Sequence, residues 1–190
     1  MARLLPLVCF VALAGCRPAD DVRTYTVPKS KDTPPAAAGE DTDRLLGALI
    51  PAADGQLFSI KLSGPVAAVS AQADAFRAFV ESVRQSGDAG KPLTYTAPAG
   101  WRAGPERQMR LATFFVSDGQ KPLEVAVFPP FGGSLLENVN RWRGQVGAKV
   151  VTEAELAVAA PELKLGDSKA YYVDVRGSGG AGGMAPFQKK

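Results

Sequence analysis

Residues 44–62 read RLLGALIPAADGQLFSIKL. The first part, 45–50, is an unbroken apolar run, the pattern of a strand buried on both faces. Asp54-Gly55-Gln56 supplies turn chemistry, because glycine takes the positive φ that tight hairpin turns demand. Residues 57–62 then alternate apolar and polar, as a half-buried strand does. Gly64-Pro65 opens a helix, where proline's missing N–H has no intrahelical role to lose. Val66, Val69, Ala73, Phe76, Phe79, Val80 and Val83 recur at helical spacing and make one apolar stripe. Residues 87–91 close the unit as a loop.

The same order of signals returns further on. Residues 94–98 (TYTAP) match 24–28 (TYTVP), and 110–116 (RLATFFV) share the character of 44–50. Asp118-Gly119-Gln120 matches the earlier turn, and 123–128 (LEVAVF) alternates like 57–62. A proline- and glycine-containing loop then leads into a second helix. The halves, 44–86 and 93–147, read as a degenerate internal duplication of a strand–strand–strand–helix unit. The competing reading is chance agreement among hairpin sequences, since Asp-Gly is a favoured hairpin turn in any fold. Both readings require hairpins with covering helices. The expected class is therefore α+β: one domain over 44–176, mainly antiparallel sheet covered by two main helices.

In the second helix Ser134 and Glu137 have the spacing of a capping box, each satisfying a backbone N–H that the first turn leaves orphaned. Leu135, Leu136, Val139, Trp142 and Val146 are expected to face inward, with Asn138, Arg141 and Gln145 on the flank or outside. Thr152 and Glu155 repeat the box before a short helix that Pro161 ends. Residues 169–176 (KAYYVDVR) alternate as a final strand.

The chain has 190 residues, 46% hydrophobic and 22% charged, which is ordinary for a globular domain able to bury a core without staples. Its formal charge is +3, with Lys and Arg scattered. Nucleic-acid binding needs a dense basic face, so nucleic acid is not an expected partner. Histidine is absent, and the two cysteines are Cys9 and Cys16, both near the N-terminus. That removes Cys/His zinc sites, cysteine nucleophiles and a Ser-His-Asp triad from the rest of the chain. No metal or cofactor is expected.

Residues 1–16 read MARLLPLVCFVALAGC. A positive start, an apolar run of about ten residues and a small-residue exit make an export signal, and such a run is too short to span a bilayer. Its end, Leu13-Ala14-Gly15-Cys16, resembles the lipobox of bacterial lipoproteins. The resemblance implies a signal peptide over 1–15, cleaved after the Cys16 thiol is diacylated, with palmitate-type chains as the lipid anchor. Two or more acyl chains give stable anchoring without a membrane-spanning segment. The expected location is the cell envelope, attached to a membrane and facing the periplasm or exterior, with inner and outer membrane left open. Residues 16–43 read as a solvated tether with one short strand at 24–27, and 177–190 as a disordered Gly-rich tail that could alternatively dock as a loop.

The segment Gly132-Gly133-Ser134-Leu135-Leu136-Glu137-Asn138-Val139-Asn140-Arg141-Trp142-Arg143-Gly144-Gln145 resembles a recurrent stretch in envelope lipoproteins of planctomycete-type bacteria. Residues 25–29, 61–65 and 98–101 are similar to that family as well. The resemblance covers nearly the whole chain after Cys16 and brings no established activity. The order strand, Pro98-Ala99-Gly100-Trp101, hairpin, helix also resembles the PsbP/Mog1-like α/β/α sandwich, a scaffold mostly of non-enzymatic accessory proteins. Such likeness concerns architecture and does not license a function.

For function, the first expectation is a non-enzymatic binding or accessory module, with Asn138, Asn140, Arg141 and Arg143 as the partner-binding surface and envelope proteins as its partners. Arginine and tryptophan are enriched at binding hot spots, and two glycines before a helix let an anion approach its amides. The bland alternative makes Trp142 core and the arginines surface ion pairs. An enzyme would draw on Asp118, Glu124, Glu137 and Asp174, since a carboxylate pair can run glycoside hydrolysis without histidine. Ser134 as nucleophile lacks a Gly-x-Ser-x-Gly elbow. A purely structural envelope component is the third reading.

Overall fold

The apolar run becomes β1 (Asp43–Pro51), which pairs with β2 (Leu57–Pro65) in continuous antiparallel register, from Asp43 opposite Pro65 to Pro51 opposite Leu57. Gly55 turns the hairpin at φ 79°, and the Asp54 carboxylate accepts the Gln56 N–H at 3.0 Å. The computed structural model describes residues 40–116 and 122–179. The expected signal peptide, Cys16, the strand at 24–27, the Asp118-Gly119-Gln120 turn and the tail from 180 lie outside them.

The stripe after the hairpin forms two helices where one was expected: α1 (Val66–Ala71) and α2 (Ala73–Ser82). Gln72 leaves helical geometry at φ −104°, ψ 1°. The bend redirects the chain from above β1 and β2 toward the far sheet edge, so that Val69 and Phe76 both reach one core. Short strands β3 (Arg84–Gln85) and β4 (Leu93–Thr94) pair with each other, so only the start of the expected strand at 94–98 is one. Then come β5 (Arg102–Ala103), β6 (Ala112–Val116), β7 (Leu123–Phe131), α3 (Leu135–Gln145), α4 (Glu153–Ala159), β8 (Glu162–Leu165) and β9 (Ser168–Gly177).

Seven strands form one antiparallel sheet in the order β5-β6-β7-β2-β1-β9-β8. β1 sits inside it, with neighbours on both edges and helices over both faces, which is why its residues are apolar without alternation. Leu46, Ala48 and Ile50 face the core made with α1 and α2. Leu45 and Leu49 face a second core made with Val139, Trp142 and Val146 of α3 and Leu156 of α4. The described residues form a single α+β domain with four helices, one more than the two main helices and the short one after Thr152 that were expected, because the first stripe divides at Gln72. The helices that follow the two hairpins cover opposite faces.

Two features could not be anticipated from periodicity. β7 continues through Pro129-Pro130, which the sequence places in a loop, because its outer neighbour β6 ends at the level of Val127 and no N–H is needed there. The register gains one residue on β7 between Phe128 and Phe131 against Ser59 and Leu57 on β2, a β-bulge. In addition, Arg44 is buried on the first face, where its Nε and Nη2 donate to both Asp174 carboxylate oxygens at 2.8 and 2.6 Å and Nη1 donates to Ser70 Oγ at 2.8 Å. This bidentate pair joins β1, β9 and α1.

α3 is seated by close approach. A Cβ on Gly47 would overlap the Trp142 ring, with Cε3 at 2.7 Å, and one on Gly177 would overlap the Val146 carbonyl. Gly47→Ala should therefore lower the unfolding midpoint in urea by the equivalent of roughly 1–3 kcal/mol, the usual cost of overpacking a core. Trp142→Leu in the same chain should recover part of that loss; an unaltered midpoint for Gly47→Ala alone would contradict the contact.

Candidate functional site

Helices α3 and α4 cover only part of the second sheet face, over β1 and β9. Beyond Leu57 and Phe131, which join the α3 core, the part formed by β2 and β7 has no helix over it among the described residues. Its residues alternate away from the first core: Ser59 and Lys61 on β2, Glu124, Ala126 and Phe128 on β7. The outcome is an open groove of about 450 Å³. Lys61, Ser59 and Phe128 form its floor; Arg141, Trp142 and Gln145 of α3 form one wall; Pro129, Pro130 and Phe131 of the bulge close an end. Met109 forms the opposite lip, 77% exposed and held at φ 66°. A left-handed backbone is uncommon for any residue with a Cβ.

The groove is cationic over an apolar lining. Lys61 is half-buried and donates to Gln145 Oε1 at 3.0 Å. Burial pushes its ammonium below the ordinary lysine range, and the nearby Arg110 and Arg141 push it the same way. Arg141 stands over the Phe131 ring at 5.0 Å and donates from Nη2 to Asn138 Oδ1 at 2.6 Å. Arg110 lies over the Phe128 ring at 5.5 Å and pairs with Glu124, which also holds Arg107 at 3.0 Å. Among the described residues no carboxylate forms an ion pair with Lys61 or Arg141.

The residues expected to bind a partner separate. Asn138, expected on the flank or outside, is buried at 2% exposure. Its Nδ2 donates to the Ser134 carbonyl at 2.9 Å, so it finishes the helix start. Asn140 donates to the Val151 carbonyl and accepts the Val151 N–H, at 2.9 and 2.7 Å, which clamps the α3–α4 loop as a strand partner would. Arg143 donates from Nε to the Lys149 carbonyl on that same loop. Two positions on a helix lie about 200° apart, so Arg141 and Arg143 take opposite flanks and share no surface. Arg141 alone joins the groove. Lys61 and Arg110 were not singled out in the sequence; the one signal for Lys61 was its place on the polar side of an alternating strand.

The catalytic candidates separate as well. Glu124 lies on the second face of the sheet and Asp174 on the first, paired with Arg44. Glu137 accepts the Ser134 N–H at 2.7 Å while Ser134 Oγ accepts the Glu137 N–H at 3.2 Å, the capping box expected of them. Asp118 lies outside the described residues. Tyr172, pushed up to about 12 chiefly by burial, stays protonated. Among the described residues no three His, Cys, Asp or Glu side chains are grouped to hold a metal ion, and no helix is long and apolar enough to cross a membrane. No protein-family model, curated protein or solved structure matches the chain.

Two pH effects follow. The hydrogen bonds from Ser134 hold the Glu137 carboxyl below its usual value of 4.5. A depressed carboxylate adds stability above the unfolded value and loses it as pH falls through the folded one. Glu137→Gln should therefore flatten the loss of stability below pH 4.5, as read by chemical denaturation across the acid range. Lys61 has the opposite consequence. With its folded value depressed, the folded state binds fewer protons, and stability rises as pH climbs through that value toward 10.5. Lys61→Met should raise the thermal midpoint at pH 7 and remove this alkaline gain; a lowered midpoint at pH 7 would show the ammonium to be well compensated.

Proposed function

We propose that the chain is a membrane-anchored envelope lipoprotein, held by lipid on Cys16, whose folded domain is a non-enzymatic binding module acting through the β2–β7 groove. The observation that carries the binding reading is Lys61 kept beside Arg110 and Arg141 without an ion-pair partner of its own among the described residues. Holding like charges together over an apolar surface costs stability, and a groove that carries this cost is explained by an anion that enters it. The exposed left-handed Met109 on the lip is a second local departure from what folding alone favours. The separation of Glu124 from Asp174 gives the hydrolase reading no support, and a purely structural role leaves the groove without a use.

The anchor reading rests on the sequence at 13–16 and its resemblance to a lipobox. Helices over both faces of the sheet support the PsbP/Mog1-like likeness, and the adjacent antiparallel hairpins β1–β2 and β6–β7 support a duplication whose helices diverged to opposite faces.

Each half has its own test. Mass spectrometry of the native N-terminus should find Cys16 first and carrying diacylglycerol, and Cys16→Ser should move the protein from the detergent to the aqueous phase. An unmodified sulfur at position 16 would remove the anchor. Native protein cross-linked in envelope extract should retain a bound component that Arg141→Gln loses; identical recoveries from both would remove the groove.

A further inference from the structure

We infer that the groove selects small amphiphilic anions: a carboxylate or phosphate head joined to a flat apolar body. The inference rests on the binding-module reading above and adds the chemistry of the ligand.

The head group follows from charge. Lys61 on the floor and Arg141 on the wall offer donors to the same groove, and Arg110, over the Phe128 ring that lines it, adds a third cation that shares Glu124 with Arg107. The groove therefore presents two cations without an ion-pair partner among the described residues, enough for one carboxylate or phosphate and too few for a polyanion. Arginine's planar fork suits either head.

The body follows from shape and lining. Beyond the cations the surface is Phe128, Pro129, Pro130, Phe131, Trp142 and Met109. The two guanidinium–phenyl contacts fix Phe128 and Phe131 from one side, leaving rigid apolar surface along the bulge. Met109 on the lip is flexible and polarisable, and can fold over ligands of varied outline. A volume of about 450 Å³ falls within the range of small-molecule sites, about 300–1,000 Å³. A simple ion would leave the apolar lining unused, and a neutral apolar molecule would leave Lys61 uncompensated.

The test is calorimetric titration of the full chain, purified as the cell makes it in neutral detergent micelles, with empty micelles as the blank. 2-Naphthoate and 2-naphthyl phosphate should bind, with 2-naphthol and inorganic phosphate each weaker by about tenfold or more, the worth of one charge-assisted contact. Lys61→Met and Arg141→Gln should each weaken 2-naphthoate by about tenfold, and Lys164→Met on the distant strand β8 should not. Arg141 is exposed, so Arg141→Gln decides the matter even if Lys61→Met misfolds. Inorganic phosphate binding as tightly as 2-naphthoate would overturn the inference and leave an anion-binding module standing. Equal binding of 2-naphthol would also overturn it, because the cations would then be idle. No binding by any of the four would remove the inference and the groove as a binding site together.

Discussion

The indole of Trp142 occupies the space that a Cβ at Gly47 would take, and most of the second sheet face is organised by that contact. A side chain on β1 at this position would lift α3 away from the sheet. With hydrogen there, α3 drops onto β1 and β9, Val139 and Val146 reach Leu45 and Val175, and the helix ends beside Gly177, where a second missing Cβ makes room for the Val146 carbonyl. Two glycines in strands are a local weakness in backbone terms. Here they are the condition for close helix–sheet packing.

With α3 seated over β1 and β9, most of β2 and β7 has no covering helix on that face among the described residues. A sheet face without a helix over it is ordinarily polar, and this one is only partly so: half-buried Lys61 and Glu124 and buried Ser59 share it with buried Ala126 and half-buried Phe128. The prolines after Phe128 add a bulge that carries Phe131 and the chain into the Ser134 cap of α3. The groove's end and wall, with Phe128 of its floor, are thus consecutive parts of one piece of chain running from β7 into α3, and the neighbouring strand β2 supplies Ser59 and Lys61. Rigid elements hold three sides and a strained loop residue holds the fourth.

The Arg44–Asp174 pair is the counterpart on the first face. It lies at the edge of the larger core, where Arg44 is nearly buried and Asp174 is partly exposed. Removing Asp174 would leave the nearly buried Arg44 without its carboxylate, whereas Asp174 without Arg44 would keep its contact with water. The pair also explains why a carboxylate that looked available in the sequence takes part in no site: its charge is consumed by tying β9 to β1.

The hairpin signals at 44–62, the capping boxes at Ser134 and Thr152, and the inward stripe of α3 were legible because each depends on neighbours within four residues or on strict period-two alternation. The likeness of 13–16 to a lipobox is of the same local kind. Strand order, the two-sided placement of the helices, the pairing of Arg44 with Asp174 and the meeting of Lys61 with Arg110 and Arg141 all join residues far apart along the chain, and no local pattern encodes which distant partner is reached. Asn138 shows the boundary well. Helical spacing put it on the flank, and the fold buries it with its Nδ2 donating to the Gly133 and Ser134 carbonyls. Composition and short-range geometry determined what elements form; the packing of α3 against a glycine decided which surface stayed open.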